Sequence, residues 1–174
     1  MIGGGPAGLM AAEVLAAGGA RVDLFDAMPT VGRKFLLAGR GGLNLTHSEA
    51  TPKLLARYGE REAALRNAVT AFDGEAIRQW AAGLGIATFV GTSGRVFPTD
   101  MKAAPLLRAW LHRLRAAGVR VHPRHRWTGW NEEGALRFGT PAGEVLHHAD
   151  ATLLALGGAS WARRHGAAPR LWAC

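Results

Sequence analysis

A chain of 174 residues, 48% hydrophobic and 20% charged, has the composition of one globular domain and is too short for two comfortable ones. Its one cysteine, Cys174, excludes a disulfide framework and a cysteine-based zinc site and fits a reducing compartment. The net charge of +8 rests on 21 Lys+Arg against 13 Asp+Glu, and no apolar run reaches the roughly 20 residues a bilayer span needs, so a soluble, cytoplasmic protein with no membrane partner is expected.

The chain opens MIGGGPAGLMAAEVLAAGGARVDLFDA, which contains Gly3-x-Gly5-x-x-Gly8. The pattern is weak alone and gains its meaning from context. LMAAEVLAA (9–17) follows as a run of helix formers with Leu9, Ala12, Leu15 and Ala16 on one face, and Gly18-Gly19 ends it. RVDLFD (21–26) then alternates like a strand and ends on Asp26, 18 residues past Gly8 where about 20 is usual. This is the order of a dinucleotide-binding βαβ unit. Gly3 makes the strand-to-helix turn, Gly5 lets a pyrophosphate reach the backbone, and Gly8 lets helix and strand pack closely. Pro6 and Ala7 open the helix whose N–H groups and dipole face the phosphates. Asp26 can accept hydrogen bonds from an adenosine ribose. Only Met1 and Ile2 precede the first glycine, so either the true start lies upstream or the central strand of the sheet is cut short.

Between 27 and 49 runs AMPTVGRKFLLAGRGGLNLTHSE. Gly39, Gly41 and Gly42 fall within four positions around Arg40, too many glycines for an ordinary turn, which points to backbone angles closed to other residues or to a ligand that touches the backbone. Arg33, Lys34 and Arg40 can neutralise phosphate, and Asn44 and Thr46 can supply hydrogen bonds.

From Pro52 to Gly83 the pattern reads as two or three short helices packed through Leu54, Leu55, Leu65, Val69, Phe72, Ile77 and Trp80. The arginines of RAWLHRLRAAGVRVHPRHR (108–126) form the solvated face of a helix in preference to an RNA-binding surface. His122-x-x-His125 and His147-His148 lack the carboxylate or thiolate partners of a metal site, so no metal is expected. Trp80, Trp110, Trp127 and Trp130 read as packing residues.

Taken together, Gly32-Arg33-Lys34, the loop Gly39–Thr46, GRVFP (94–98) and LLALGGASW (153–161) resemble the BaiN-like, or aminoacetone oxidase-like, family of NAD(P)/FAD-dependent oxidoreductases. Many relatives carry Arg-Cys where this chain has Gly42-Leu43. The resemblance implies an α/β fold: a Rossmann-type FAD-binding domain with a mostly parallel sheet over residues 1–161, with the short helices of 52–83 inserted. It implies FAD bound along Gly3, Gly5, Pro6, Ala7, Gly8, Asp26, Gly32, Arg33, Lys34, Gly41, Gly42 and Asn44. It adds a backbone contact near Trp127 and the paired Gly157-Gly158, with NAD(P)H as an electron donor. Substrates across its branches are small molecules such as a steroid enone or an aminoketone, and in one branch a uridine of ribosomal RNA. No catalytic acid or base is identified.

After Trp161 the residues ARRHGAAPRLWAC (162–174) are basic and aperiodic, as in a frameshifted frame, so a copy truncated at both ends is expected. The competing reading is a non-catalytic nucleotide-binding fragment or inactive gene product, and a nicotinamide-binding dehydrogenase domain is third.

Overall fold

The computed structural model describes residues 1–38 and 41–158. They form two compact units: Met1–Gly32 together with the chain from Ala117 onward, and Arg33–Ala116.

The first unit begins with α1 (Pro6–Ala17) and β1 (Asp23–Phe25), the helix and strand expected there. β1 pairs in parallel with β5 (Arg120–His122), Leu24 facing Val121 in register. Ile2 bridges in parallel to Phe25 on one side and to Leu154 on the other, so the sheet runs Leu154, Ile2, β1, β5. That is the parallel sheet of a Rossmann unit, though a small one. The segment around Leu154 contributes a single bridge, since its only partner among the described residues is Ile2 and Gly3 then turns away.

Gly8, Leu9 and Ala12 form the buried stripe of α1, and small residues at 8 and 12 let the helix lie close to the sheet. Leu15, expected on the same face, is 41% exposed. A three-residue strand extends roughly 10 Å and a 12-residue helix about 18 Å, so the last turn of α1 outruns what it covers.

An antiparallel meander that the sequence pattern did not announce completes this unit: β6 (Arg126–Trp130), β7 (Leu136–Thr140) and β8 (Gly143–His147). The stretch 119–130 holds two strands, β5 and β6, because Pro123 lacks an N–H and Arg124 adopts φ +59 between them. Asn131 builds the β6–β7 turn by accepting from Ala135 N–H at 2.7 Å, with Gly134 at φ +80. Ile2, Phe25, Leu136 and Phe138 form a buried cluster, with Trp127 and Leu156 packed against it. Phe25 and Phe138 stack at 4.2 Å between centroids.

The second unit holds α2 (Arg33–Ala38), β2 (Thr46–His47), α3 (Thr51–Ala56), α4 (Glu62–Ala71), α5 (Gly74–Gly83), β3 (Thr88–Val90), β4 (Arg95–Pro98) and α6 (Ala103–Ala116). Its sheet is antiparallel in the order β2-β4-β3. The two or three short helices expected in 52–83 are three, α3, α4 and α5, although Phe72 is 39% exposed rather than packed. α6 buries Ala103, Leu106, Leu107, Trp110 and Leu114, a helical stripe that leaves Arg108 and Arg115 exposed. Trp110 meets the Trp80 ring edge-on at 4.7 Å, whereas Trp130 is 48% exposed.

Asp73 caps α5, accepting from Glu75 N–H at 3.1 Å and Ala76 N–H at 3.0 Å, and takes the Thr51 hydroxyl at 2.8 Å. These bonds hold its carboxyl below the ordinary aspartate range. Asp73→Ala is therefore expected to fray α5 and loosen α3 together, read as lost helical circular dichroism and a lower Tm. Thr51→Val should reproduce only part of that loss. Among the described residues no helix is long and apolar enough to cross a membrane.

Candidate functional site

The glycine turn of the first unit is built by close approach. Gly3 has φ +105, and a Cβ there would lie 2.2 Å from the Ala155 carbonyl oxygen. At Gly8 a Cβ would sit 1.9 Å from the Gly3 carbonyl oxygen, so helix and turn touch backbone to backbone. Gly5 is different. A Cβ there meets nothing within 4 Å, and its backbone is extended rather than left-handed. Packing therefore requires Gly3 and Gly8, while at Gly5 the space is left for something else.

Gly5 is the N-cap of α1 and carries no side chain to bond the helix's first N–H groups; Pro6 and Ala7, which follow, are exposed. A helix start left uncapped and open is suited to an anion.

Gly4 was missed, because the pattern treats it as a spacer. It is buried, and a Cβ on it would meet Val31 Cγ1 at 2.4 Å. Its N–H donates to Asp26 Oδ2 at 2.7 Å, and its carbonyl accepts from Gly32 N–H at 2.7 Å. Three glycines in a row were the available signal: a third one is unneeded unless a neighbour presses on it. Gly32, at φ +71, thus serves the turn directly. Asp26 Oδ1 accepts from Met28 N–H at 2.7 Å, so both carboxylate oxygens hold backbone.

Trp127 sits in β6 opposite Phe138, with a bulge between it and Gly129. Its indole N–H is buried without an acceptor among the described residues. Gly157, at φ +77, and Gly158 are exposed at the end of the described chain.

The remaining candidates belong to the second unit. Arg33 and Lys34 open α2 and are exposed. Gly41 has open space around a virtual Cβ, whereas Gly42, at φ +109, would bring one to 2.5 Å from Met101 Cε. Asn44 is exposed; with its amide turned to donate, it reaches the Thr46 carbonyl at 2.8 Å and the Val96 carbonyl at 3.3 Å. Gly39, Arg40 and residues 159–174, including the tail after Trp161, lie outside the described residues. The polar pocket of this unit, about 210 Å³ and lined by His47, Glu49, Thr51, Asp73, Glu75 and Arg78 among others, contains none of the candidates. Its carboxylates are spent internally: Glu49 pairs with Arg57 and Glu75 with Arg78.

At the opposite end of β1 from Asp26, Asp23 gathers charge. Its carboxylate pairs with Arg120, contacts His122 Nε2 at 2.7 Å and lies 3.9 Å from His147 Nε2. His122 also stacks on Phe25 at 4.5 Å. Burial alone would raise the Asp23 carboxyl, yet the hydrogen bonds and charges of Arg120 and His122 outweigh it and hold the group below the ordinary range. Burial lowers His147; Asp23 opposes this, while His122, the terminal amine and Arg120 reinforce it. Among the described residues no trio of His, Cys, Asp or Glu is placed to hold a metal ion.

A depressed folded-state pKa means stability present above the unfolded value and lost on acidification through the folded one. One loss is therefore expected as pH drops below about 6.5, from His147, and a second below about 3.9, from Asp23 together with Asp73. Urea midpoints measured against pH should show both. His147→Gln should flatten the first and leave the second.

Comparison with known proteins adds the following. A family model described as "HI0933-like protein Rossmann domain" matches residues 1–173. No curated protein matches the chain. Among solved structures, THI4 of Thermovibrio ammonificans aligns with a TM-score of 0.55 at 17% identity over 95% of this chain and 61% of that one. The 3-ketosteroid-Δ4-(5α)-dehydrogenase of Rhodococcus jostii RHA1, solved with 4-androstene-3,17-dione, aligns with a TM-score of 0.62 at 15% identity over 85% of this chain and 43% of that one. The chain thus spans less than two thirds of either structure, and at these identities the likeness is one of fold. With the family match running over nearly its whole length, and with the glycine turn and small parallel sheet that such a match requires, the chain belongs to the HI0933-like family and carries its Rossmann domain.

Proposed function

We propose that this chain binds FAD and serves a flavin-dependent oxidoreductase that acts on a small-molecule substrate, with NAD(P)H as electron donor. The observation that carries the reading is the glycine turn. Two of its glycines are demanded by backbone contact, while Gly5 stands open before an uncapped helix start. That arrangement fits a dinucleotide pyrophosphate. Family membership and the shared fold of a steroid dehydrogenase support the oxidoreductase part.

When bound, FAD would supply hydride and electron transfer. The chain's own part is to hold and orient. The N–H groups at the start of α1 would bind phosphate oxygens, and Gly5 would let them approach. Asp26, at the end of β1, bonds the Gly4 and Met28 N–H groups through its two carboxylate oxygens. Trp127, Gly157 and Gly158, and Arg33, Lys34, Gly41, Gly42 and Asn44 of the second unit, are proposed as further cofactor contacts on the strength of the resemblance. A uridine of ribosomal RNA as substrate finds no support in the fold or the comparisons.

The experiment is to purify the chain with added FAD, remove the excess, and record its visible spectrum with and without NAD⁺. Retained flavin undisturbed by NAD⁺ is expected. A colourless protein that binds NAD⁺ without competition from FAD would make it a nicotinamide-binding domain instead.

A further inference from the structure

Asp26 occupies a position where the nucleotide-binding pattern expects a partner for ribose, yet in this chain its carboxylate is already engaged on both oxygens. Oδ2 takes the Gly4 N–H and Oδ1 takes the Met28 N–H, each at 2.7 Å. The backbone of Asp26 is fixed as well, donating to the His122 carbonyl at 3.0 Å and accepting from His125 N–H at 2.9 Å. Gly4 is closed in as well by Val31 and by the Gly32 N–H bonded to its carbonyl. The residue just before the open Gly5 is thereby held by three residues, Asp26, Val31 and Gly32, all within one compact unit.

We infer that Asp26 is a positioning residue for phosphate binding: through the Gly4 amide it fixes the glycine turn and the start of α1 in the binding conformation before a ligand arrives. A turn held in advance loses less freedom on binding. The inference rests on the reading of this turn as a phosphate cradle. It differs from a ribose contact in one testable respect. A ribose contact vanishes when the ligand lacks ribose hydroxyls, and a clamp does not.

The test uses the full chain with ADP and 2′,3′-dideoxy-ADP as probes, by calorimetry. Asp26→Asn presents an NH₂ group to one of the two backbone donors whichever way the amide turns, so one bond is lost. Both nucleotides are expected to bind on the order of tenfold more weakly to this variant, by the same factor. Gly4→Ala, whose methyl would press on Val31 and lie 2.9 Å from Oδ2, should combine with it less than additively. Amide exchange on the ligand-free protein gives a separate readout. Protection of Gly4 and Met28 in the wild type should fall in Asp26→Asn, with the change confined to residues 3–8 and 26–32.

Weakening of ADP alone, with dideoxy-ADP unaffected, would reduce Asp26 to a ribose contact. Unprotected Gly4 in the wild type, or protection lost throughout β6–β8, would also overturn the clamp. A wild type that binds neither nucleotide while Gly4 is protected contradicts the cradle itself, and the inference with it.

Discussion

Gly8→Ala should be among the most damaging single substitutions in this chain, lowering stability by about 3 kcal/mol or more. The added methyl would lie 1.9 Å from the Gly3 carbonyl oxygen and 3.3 Å from Ala155 Cβ, both on backbone-paired segments that cannot turn aside. For a chain of this length that cost corresponds to a fall in Tm on the order of 10 °C. The neighbouring substitution Gly5→Ala should leave Tm nearly unchanged, since its methyl meets nothing within 4 Å. Thermal melts of the two variants side by side check the account of the turn without any ligand. Equal melting temperatures would contradict it.

The second large effect is expected at Phe138. It is fully buried, stacks on Phe25 and is paired with Trp127 across the meander. Phe138→Ala removes a ring at the centre of the cluster where β7 covers Ile2 and Phe25, at a cost of about 3–5 kcal/mol. Phe138→Leu keeps most of the volume and should cost about half as much. Denaturant midpoints measure both. A loss under about 1 kcal/mol for the alanine variant would mean that the meander does not close this core.

The elements around the glycine turn were legible because several local signals agreed there. Gly3, Gly5 and Gly8 set the spacing, the helix formers from Leu9 gave α1, and the alternation ending at Asp26 gave β1. The short helices of 52–83 were legible from apolar periodicity for the same reason. The meander was not. Along β6 burial alternates only between partial and none, and β8 is exposed nearly throughout, so neither strand shows an apolar face. Its turns did carry signals, Asn131–Gly134 and Pro141–Gly143, and two hairpins could have been read from them.

At the candidate site, the tight turn and close packing expected at Gly3 and Gly8 match the backbone contacts there, but pattern reading misjudged Gly4 as a spacer. The residue that presses on it, Val31, is 27 positions away, and no local rule reports a contact at that range. The gathering of Arg120, His122 and His147 around Asp23 was hidden likewise, because these residues meet only once β1, β5 and β8 are in place. In the sequence these histidines have no carboxylate partner. His122 and His147 prove to be partners of one aspartate. The division of the chain at Gly32 and Ala116 leaves no mark in composition either.

The measurement that bears most directly on the central claim is an equilibrium titration of FAD into the wild-type chain and into Gly5→Val, followed by quenching of flavin fluorescence. The account predicts saturable binding at one site in the wild type. It predicts at least about a tenfold loss in the variant, whose Tm stays within a few degrees of the wild type. Undiminished binding in a folded Gly5→Val, or no binding by the wild type, would contradict the assignment of the glycine turn to the cofactor.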